Sequence, residues 1–206
     1  MEFLSILSFL GASILLSFMP GPDNIYVLSE SLSRGSKTGI FISIGLVSGV
    51  LIHTLLAATG ISLLIYKSEM AFDIIKYIGA SYLFYLAYQA THEKPIHFEN
   101  SALQKADIKS FGQLFSKGFL MNVTNPKVSL FFIAFLPQFI TQGGINYTLQ
   151  MIILGFIFIV QALIIFSGIA MLAGRFSMQL NKASFWFYTK WAKVVILSVL
   201  GISLLL

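Results

Sequence analysis

Apolar residues run along this chain in long blocks rather than in the spaced stripes of a soluble helix bundle. Four stretches carry no Asp, Glu, Lys or Arg: residues 3–22, 38–66, 77–92 and 128–174. A membrane-crossing helix needs about 20 mostly apolar residues, and the last stretch is long enough for two. The turn formers Pro137, Gly143, Gly144 and Asn146 divide it. The pattern predicts six helices, over 3–32, 38–66, 71–91, 111–139, 146–174 and 185–206. A polar connection, 92–110, separates the third from the fourth and holds His92, Glu93, Lys94, Glu99, Lys105, Asp107 and Lys109.

Composition agrees with this pattern. Of 206 residues, 57% are hydrophobic and 10% charged, against roughly 45–50% and about 25% in ordinary globular domains. The fold class expected is an all-α, multi-pass membrane protein embedded in lipid. Glu2 stands where the basic region of a secretory signal would be, so the first helix reads as a mature span. The net charge of +5 collects in the connections, where membrane topology explains it without a nucleic-acid partner. The absence of cysteine excludes disulfides, thiolate metal sites and thiol redox chemistry.

Basic residues then orient the spans. Connections 1–2, 3–4 and 5–6 hold Arg34, Lys37, Lys94, Lys105, Lys109, Lys117, Arg175, Lys182, Lys190 and Lys193, and the other side holds only Lys67 and Lys76. Ten against two places those connections in the cytoplasm, with both termini outside. Trp186, Tyr188 and Trp191, beside Lys190 and Lys193, read as an interfacial anchor. The 20 phenylalanines read mostly as lipid-facing bulk.

The connection 92–110 falls near mid-chain and suggests two related halves, 1–91 and 111–206. A shift of 104 residues lays Pro22-Asp23 on Pro126-Lys127 and Gly39 on Gly143; Gly60 and Gly168 correspond only after a small insertion. In both halves the first helix is interrupted by proline beside a charge. Three helices per half would set the halves in opposite orientations, the inverted-repeat design of many transporters with broken helices.

The first interruption is Pro20-Gly21-Pro22-Asp23-Asn24. Its prolines lack N–H groups and obstruct the preceding carbonyls, and Gly21 is expected to ease the turn. Carbonyls around Ser17 and Phe18 are thereby freed, while Asp23 and Asn24 stand at the positive start of the resumed helix. The second interruption runs from Asn122 to Lys127, with Asn125 as expected N-cap and Pro126 at the first helical position. A lone ammonium at depth costs at least ~2.5 kcal/mol, so Lys127 needs a partner, and Asp23 is the candidate. Either break alone is equally well read as a packing kink. Two matched breaks with opposite charges favour a binding site.

These same residues resemble the LysE/RhtB family of bacterial amino-acid exporters. Residues 20–24 look like its first signature; Gly118-Phe119-Leu120-Met121-Asn122 with Asn125-Pro126-Lys127, then Phe131–Ala134 and Pro137-Gln138-Phe139, look like its second. Tyr77-Ile78-Gly79-Ala80-Ser81-Tyr82-Leu83, Gly45, Gly49 and Gly60-Ile61 continue the likeness, which spans roughly residues 10–140. The resemblance implies export of an amino acid or its derivative across the bacterial inner membrane, driven by proton antiport. It does not choose the amino acid.

Other polar positions admit two readings each. His53, one turn after Gly49, is either a proton relay or a neutral imidazole bonded to a facing carbonyl. Gln161 either faces a polar cavity or ties helices together. Gly45 and Gly49 read as a small-residue pair that lets helices approach, and Glu30 with Arg34 as a solvated helix-end pair. The candidate binding set is Pro20, Gly21, Pro22, Asp23, Asn24, His53, Asn122, Asn125, Pro126, Lys127 and Gln161. Its expected partners are an amino acid, protons and membrane lipid, without a cofactor; a homo-oligomer is compatible with the sequence. The rival reading is export of a metal or other small cation, for which Met19, His53 and one deep acid make a thin ligand set. No enzyme motif such as HExxH or GxSxG is present.

Overall fold

The computed structural model describes residues 2–61, 69–93, 110–141, 145–180 and 182–205. Lys67, Gly143, Gly144 and the charged residues of the mid-chain connection from Lys94 to Lys109 lie outside the described residues. The described residues are helical throughout, with no strand among them. We number the helices α1 (Phe3–Phe18), α2 (Pro22–Arg34), α3 (Ser36–Leu56), α4 (Glu69–Thr91), α5 (Phe111–Val123), α6 (Pro126–Leu130), α7 (Tyr147–Leu180) and α8 (Ala183–Leu205). A wider turn, Ala57–Ile61, extends α3; another, Phe131–Phe135, follows α6 and tightens into a short 3-10 segment, Leu136–Phe139.

Three helices are long and apolar enough to cross a membrane, over Ser36–Gly60, Tyr147–Arg175 and Ser184–Leu205. Two bent pairs bring the number to five if each is one span: α1 with α2, at 57°, and Phe111–Val123 with Pro126–Phe139, at 51°. The interruptions expected in the first and fourth helices are therefore present, and at similar angles. The α4 helix forms over the expected range but is not among these candidates. Charges at Glu69, Asp73 and Lys76 and four tyrosines dilute its apolar character.

Helix α3 is the centre of the assembly, packed against α5 and α7, while α4 runs along α8. The α3–α5 contact is close because glycines face backbone across it. A Cβ on Gly49 would stand 2.8 Å from Asn122 Oδ1 and 3.0 Å from the Phe119 carbonyl oxygen, and one on Gly45 would strike the Phe115 carbonyl. Gly118 meets α3 in the same way at the Ile42 carbonyl. The small-residue reading of Gly45 and Gly49 is thus a packing fact, and it sets α5 at the depth where its chain breaks.

The phenylalanines depart from expectation. Phe9, Phe131, Phe132, Phe135, Phe158 and Phe166 are buried. Five of these, with Phe139, form a continuous ring cluster joining α1, the turn after α6 and α7, with centroids 5.1–6.0 Å apart. Burying rings against one another is favourable in lipid as in water, because edge and tilted pairs add attraction beyond area. Phe3, Phe18, Phe156 and Phe187 do face outward. The Glu30–Arg34 pair forms at 3.0 Å, but its side chains are 12% and 21% exposed, so it is sheltered rather than solvated. At the start of α8, Tyr188 and Trp191 are exposed and Lys190 Nζ lies 5.7 Å from the Trp191 ring centroid. Lys193 also pairs with Glu93 at the end of α4.

Candidate functional site

The first break begins where α1 ends at Phe18. Met19 turns out of helical geometry with ψ 120°, and α2 restarts at Pro22 as its first residue. Gly21 has φ −159°, an extended conformation open to any residue. A Cβ there would sit 3.4 Å from Lys127 Nζ, an ordinary contact, so neither the backbone conformation nor the space requires glycine at this position. The second break is built as the sequence predicts. Asn125 caps α6 by accepting from the Lys127 N–H at 3.0 Å, and Pro126 occupies the first turn.

The carbonyls released at the end of α1 are not left open. Lys127 Nζ donates to the carbonyl oxygens of Leu16 and Met19, at 3.3 and 3.4 Å. Asn24 Nδ2 donates to the Ser17 carbonyl at 2.8 Å. Side chains thus take up the carbonyls of Leu16, Ser17 and Met19 around the first break. Helix ends in an apolar medium need such partners, since each unsatisfied group costs several kcal/mol.

Asp23 and Lys127 come together, but indirectly. Asp23 Oδ2 accepts from Asn125 Nδ2 at 2.5 Å, while the ammonium gives its bonds to the α1 carbonyls. In place of the face-to-face pair expected from the sequence, Asp23 bonds to the Asn125 amide and the ammonium bonds to the carbonyls of Leu16 and Met19. Asp23 is 2% exposed and Lys127 partly buried.

Two further candidates join this junction. His53, buried on α3, donates through Nε2 to the Asn122 carbonyl at 3.1 Å. A carbonyl can only accept, so Nε2 carries the proton. The same carbonyl takes the Asn125 N–H at 2.9 Å. His53 thus steadies the second break, which is the structural reading of that residue. Gln161 on α7 donates to Ser17 Oγ at 3.0 Å and to the Ser13 carbonyl at 3.4 Å. It ties α7 to the end of α1. Pro20, Pro22 and Pro126 shape the breaks and offer no donor.

Ser13 and Ser17 were not among the sequence-derived candidates. Their signal was available only in part: α1 carries four serines, Ser5, Ser8, Ser13 and Ser17, of which the last two, four residues apart, are buried. Four acceptors at the junction remain unpaired within the protein and buried: Asp23 Oδ1, Asn24 Oδ1, Asn122 Oδ1 and Gln161 Oε1. Buried polar atoms nearly always find a partner, so these oxygens mark positions where a donor is wanted.

The LysE type translocator family matches residues 4–206. The chain belongs to the LysE type translocator family. Among curated proteins it is 32% identical over 168 residues to the uncharacterised membrane protein YrhP of Bacillus subtilis, covering 79% of this chain and 80% of that one. It is also 32% identical over 133 residues to leucine efflux proteins of Salmonella choleraesuis and Salmonella typhimurium, covering 65% of this chain and 62% of theirs. The match thus spans less than two thirds of the leucine efflux proteins' length. No solved structure matches the chain. Membership in this translocator family and the apolar helices make the protein a multi-pass membrane protein.

Proposed function

We propose that this LysE-family translocator exports an amino acid or amino-acid derivative from the cytoplasm by secondary active transport, with protons as the counter-ion. One observation carries the reading: the two helix breaks meet, and a buried carboxylate and a lysine ammonium share their junction. An amino acid is a zwitterion. Asp23 carries the substrate's amino group or a proton in alternation, since one buried carboxylate exchanges between those partners. Lys127 uses two of its three N–H donors on α1 carbonyls and offers the third to the substrate carboxylate.

In this reading α4 is a sixth span, the halves 1–91 and 111–206 are inverted repeats joined by a cytoplasmic connection, and both termini face outward from a bacterial inner membrane. The matched bends of 57° and 51° support the repeat. The efflux of leucine named for two relatives makes leucine the first substrate to test. The cation-export alternative finds no group of three His, Asp or Glu suited to a metal among the described residues. The deciding experiment loads vesicles with labelled amino acids and imposes a proton gradient. Efflux that follows the gradient supports the proposal; exchange indifferent to pH gradients, or movement of no amino acid, overturns it.

A further inference from the structure

We infer that Asn24 and Gln161, together with Asp23, form a subsite for a primary ammonium group, held in orientation by Ser17. This deepens the export reading and rests on it, by assigning which end of the substrate these helices take.

The amide orientations are dictated by chemistry. Asn24 faces the Ser17 carbonyl at 2.8 Å, and a carbonyl only accepts, so its nitrogen must point there. Gln161 lies against the Ser13 carbonyl at 3.4 Å as well as Ser17 Oγ at 3.0 Å, which places its nitrogen toward α1 for the same reason. In each amide the oxygen is then turned away from α1. Both oxygens are buried and accept nothing from the protein, and the same holds for Asp23 Oδ1, next in sequence to Asn24. The residues are 2–8% exposed, so their unpaired oxygens are not a solvated surface.

Ser17 gathers these groups from separate elements. Its carbonyl holds Asn24 of α2 and its hydroxyl holds Gln161 of α7. An amide's oxygen and nitrogen share one carbon, so each free oxygen lies within one amide group's reach of the Ser17 atom that its nitrogen meets. Three acceptors suit a group with three N–H donors, which is what a primary ammonium presents. Asp23 supplies the charge, and the two amides supply neutral oxygens. Lys127, the other charge at the junction, is engaged with Leu16 and Met19 and falls to the opposite, carboxylate end of the substrate. Quaternary ammonium groups carry no N–H and are rejected, because all three oxygens would stay unpaired.

The test uses the full-length protein in vesicles without a pH gradient, measuring counterflow of labelled L-leucine, or, should leucine fail, of whichever of the common amino acids exchanges. Competitors are isopentylamine, which keeps the ammonium alone; 4-methyl-2-oxopentanoate, which keeps the carboxylate alone; and N,N,N-trimethyl-leucine. For another amino acid the matching three analogues are used. The amine is expected to compete, and the oxo acid and the trimethyl compound to compete at least about tenfold less well, the scale of a hydrogen bond to a charged group. Gln161→Leu is expected to raise KM about tenfold with little change in maximal rate, whereas a merely structural glutamine would lower folded protein and maximal rate at constant KM. The competitor series on the wild-type chain decides the matter even if that variant fails to fold. Exchange of an amino acid in which oxo acid or trimethyl compound competes as well as the amine leaves export standing and overturns the ammonium subsite. Exchange of no amino acid removes the export reading itself.

Discussion

Asn125 Nδ2 donates to Asp23 Oδ2 at 2.5 Å, joining residues 102 positions apart at the meeting point of two broken helices. That bond makes Asn125 serve both breaks, because its side-chain oxygen caps α6 through the Lys127 N–H. The acid of this junction consequently bonds to a neutral amide while the base bonds to backbone carbonyls, and each keeps capacity for a ligand.

Asp23→Asn preserves an acceptor for Asn125 while removing the charge. Truncating one member of a buried charge pair costs about 2–5 kcal/mol, which predicts a loss of proton-driven efflux of at least about thirtyfold at 1.4 kcal/mol per decade. Vesicle efflux measured across a pH series checks this. Wild-type rates with an intact pH dependence would remove Asp23 from the coupling step.

Lys127→Met leaves the Leu16 and Met19 carbonyls without their donor and Asp23 without an opposite charge. Breaking a buried pair costs about 3–5 kcal/mol, whereas replacing both members is often close to neutral. The double variant Asp23→Asn/Lys127→Met is therefore expected to regain the part of the thermal stability lost through the unpaired Asp23 charge, but not the part lost with the Leu16 and Met19 carbonyl bonds, while remaining inactive. Melting in detergent, with counterflow alongside, separates the two effects; strictly additive destabilisation would contradict the electrostatic link.

Gly49→Ala inserts a methyl group where Asn122 and the Phe119 carbonyl already stand at 2.8 and 3.0 Å. Overpacking of this kind costs about 1–3 kcal/mol, and here it also displaces the residue whose carbonyl His53 holds. Reduced melting temperature and reduced transport are both expected. Gly168→Ala is the control: nothing lies within 4 Å of its added Cβ, and the change is expected to be neutral or to stabilise by up to about 1 kcal/mol through helix propensity.

His53→Gln retains an N–H donor for the Asn122 carbonyl but cannot titrate. If the histidine only steadies the second break, as its bond to that carbonyl indicates, efflux and its pH profile stay within about twofold of the parent, since little more than one neutral hydrogen bond is exchanged for another. A flattened pH profile in this variant would instead make His53 a proton carrier.

Much of the architecture was legible in the linear order of residues. Long charge-free runs can be stable only in lipid, and prolines at 20, 22 and 126 cannot continue a helix, so an all-helical membrane protein with two interrupted helices followed from local physics alone. The N-cap at Asn125 and the spacing of Gly45 and Gly49 were equally local, although the helix that those glycines meet was not. The sixth span was less legible, because the tyrosines and charges of α4 blur the apolar signal on which counting depends.

The order of residues determined which helices break and placed a charge at each break. Only the tertiary structure decided what those charges do, because hydrogen bonds in a buried junction are settled by competition among groups far apart in sequence. Lys127 is drawn to the carbonyl of Leu16, which Pro20 left free, and to that of Met19 within the other break, and Asp23 meets an amide. Ser17, unremarked among apolar neighbours, becomes the fixed point for Asn24 and Gln161. A break exposes polar groups wherever proline stands, but which partner satisfies them depends on what packing brings within 3 Å.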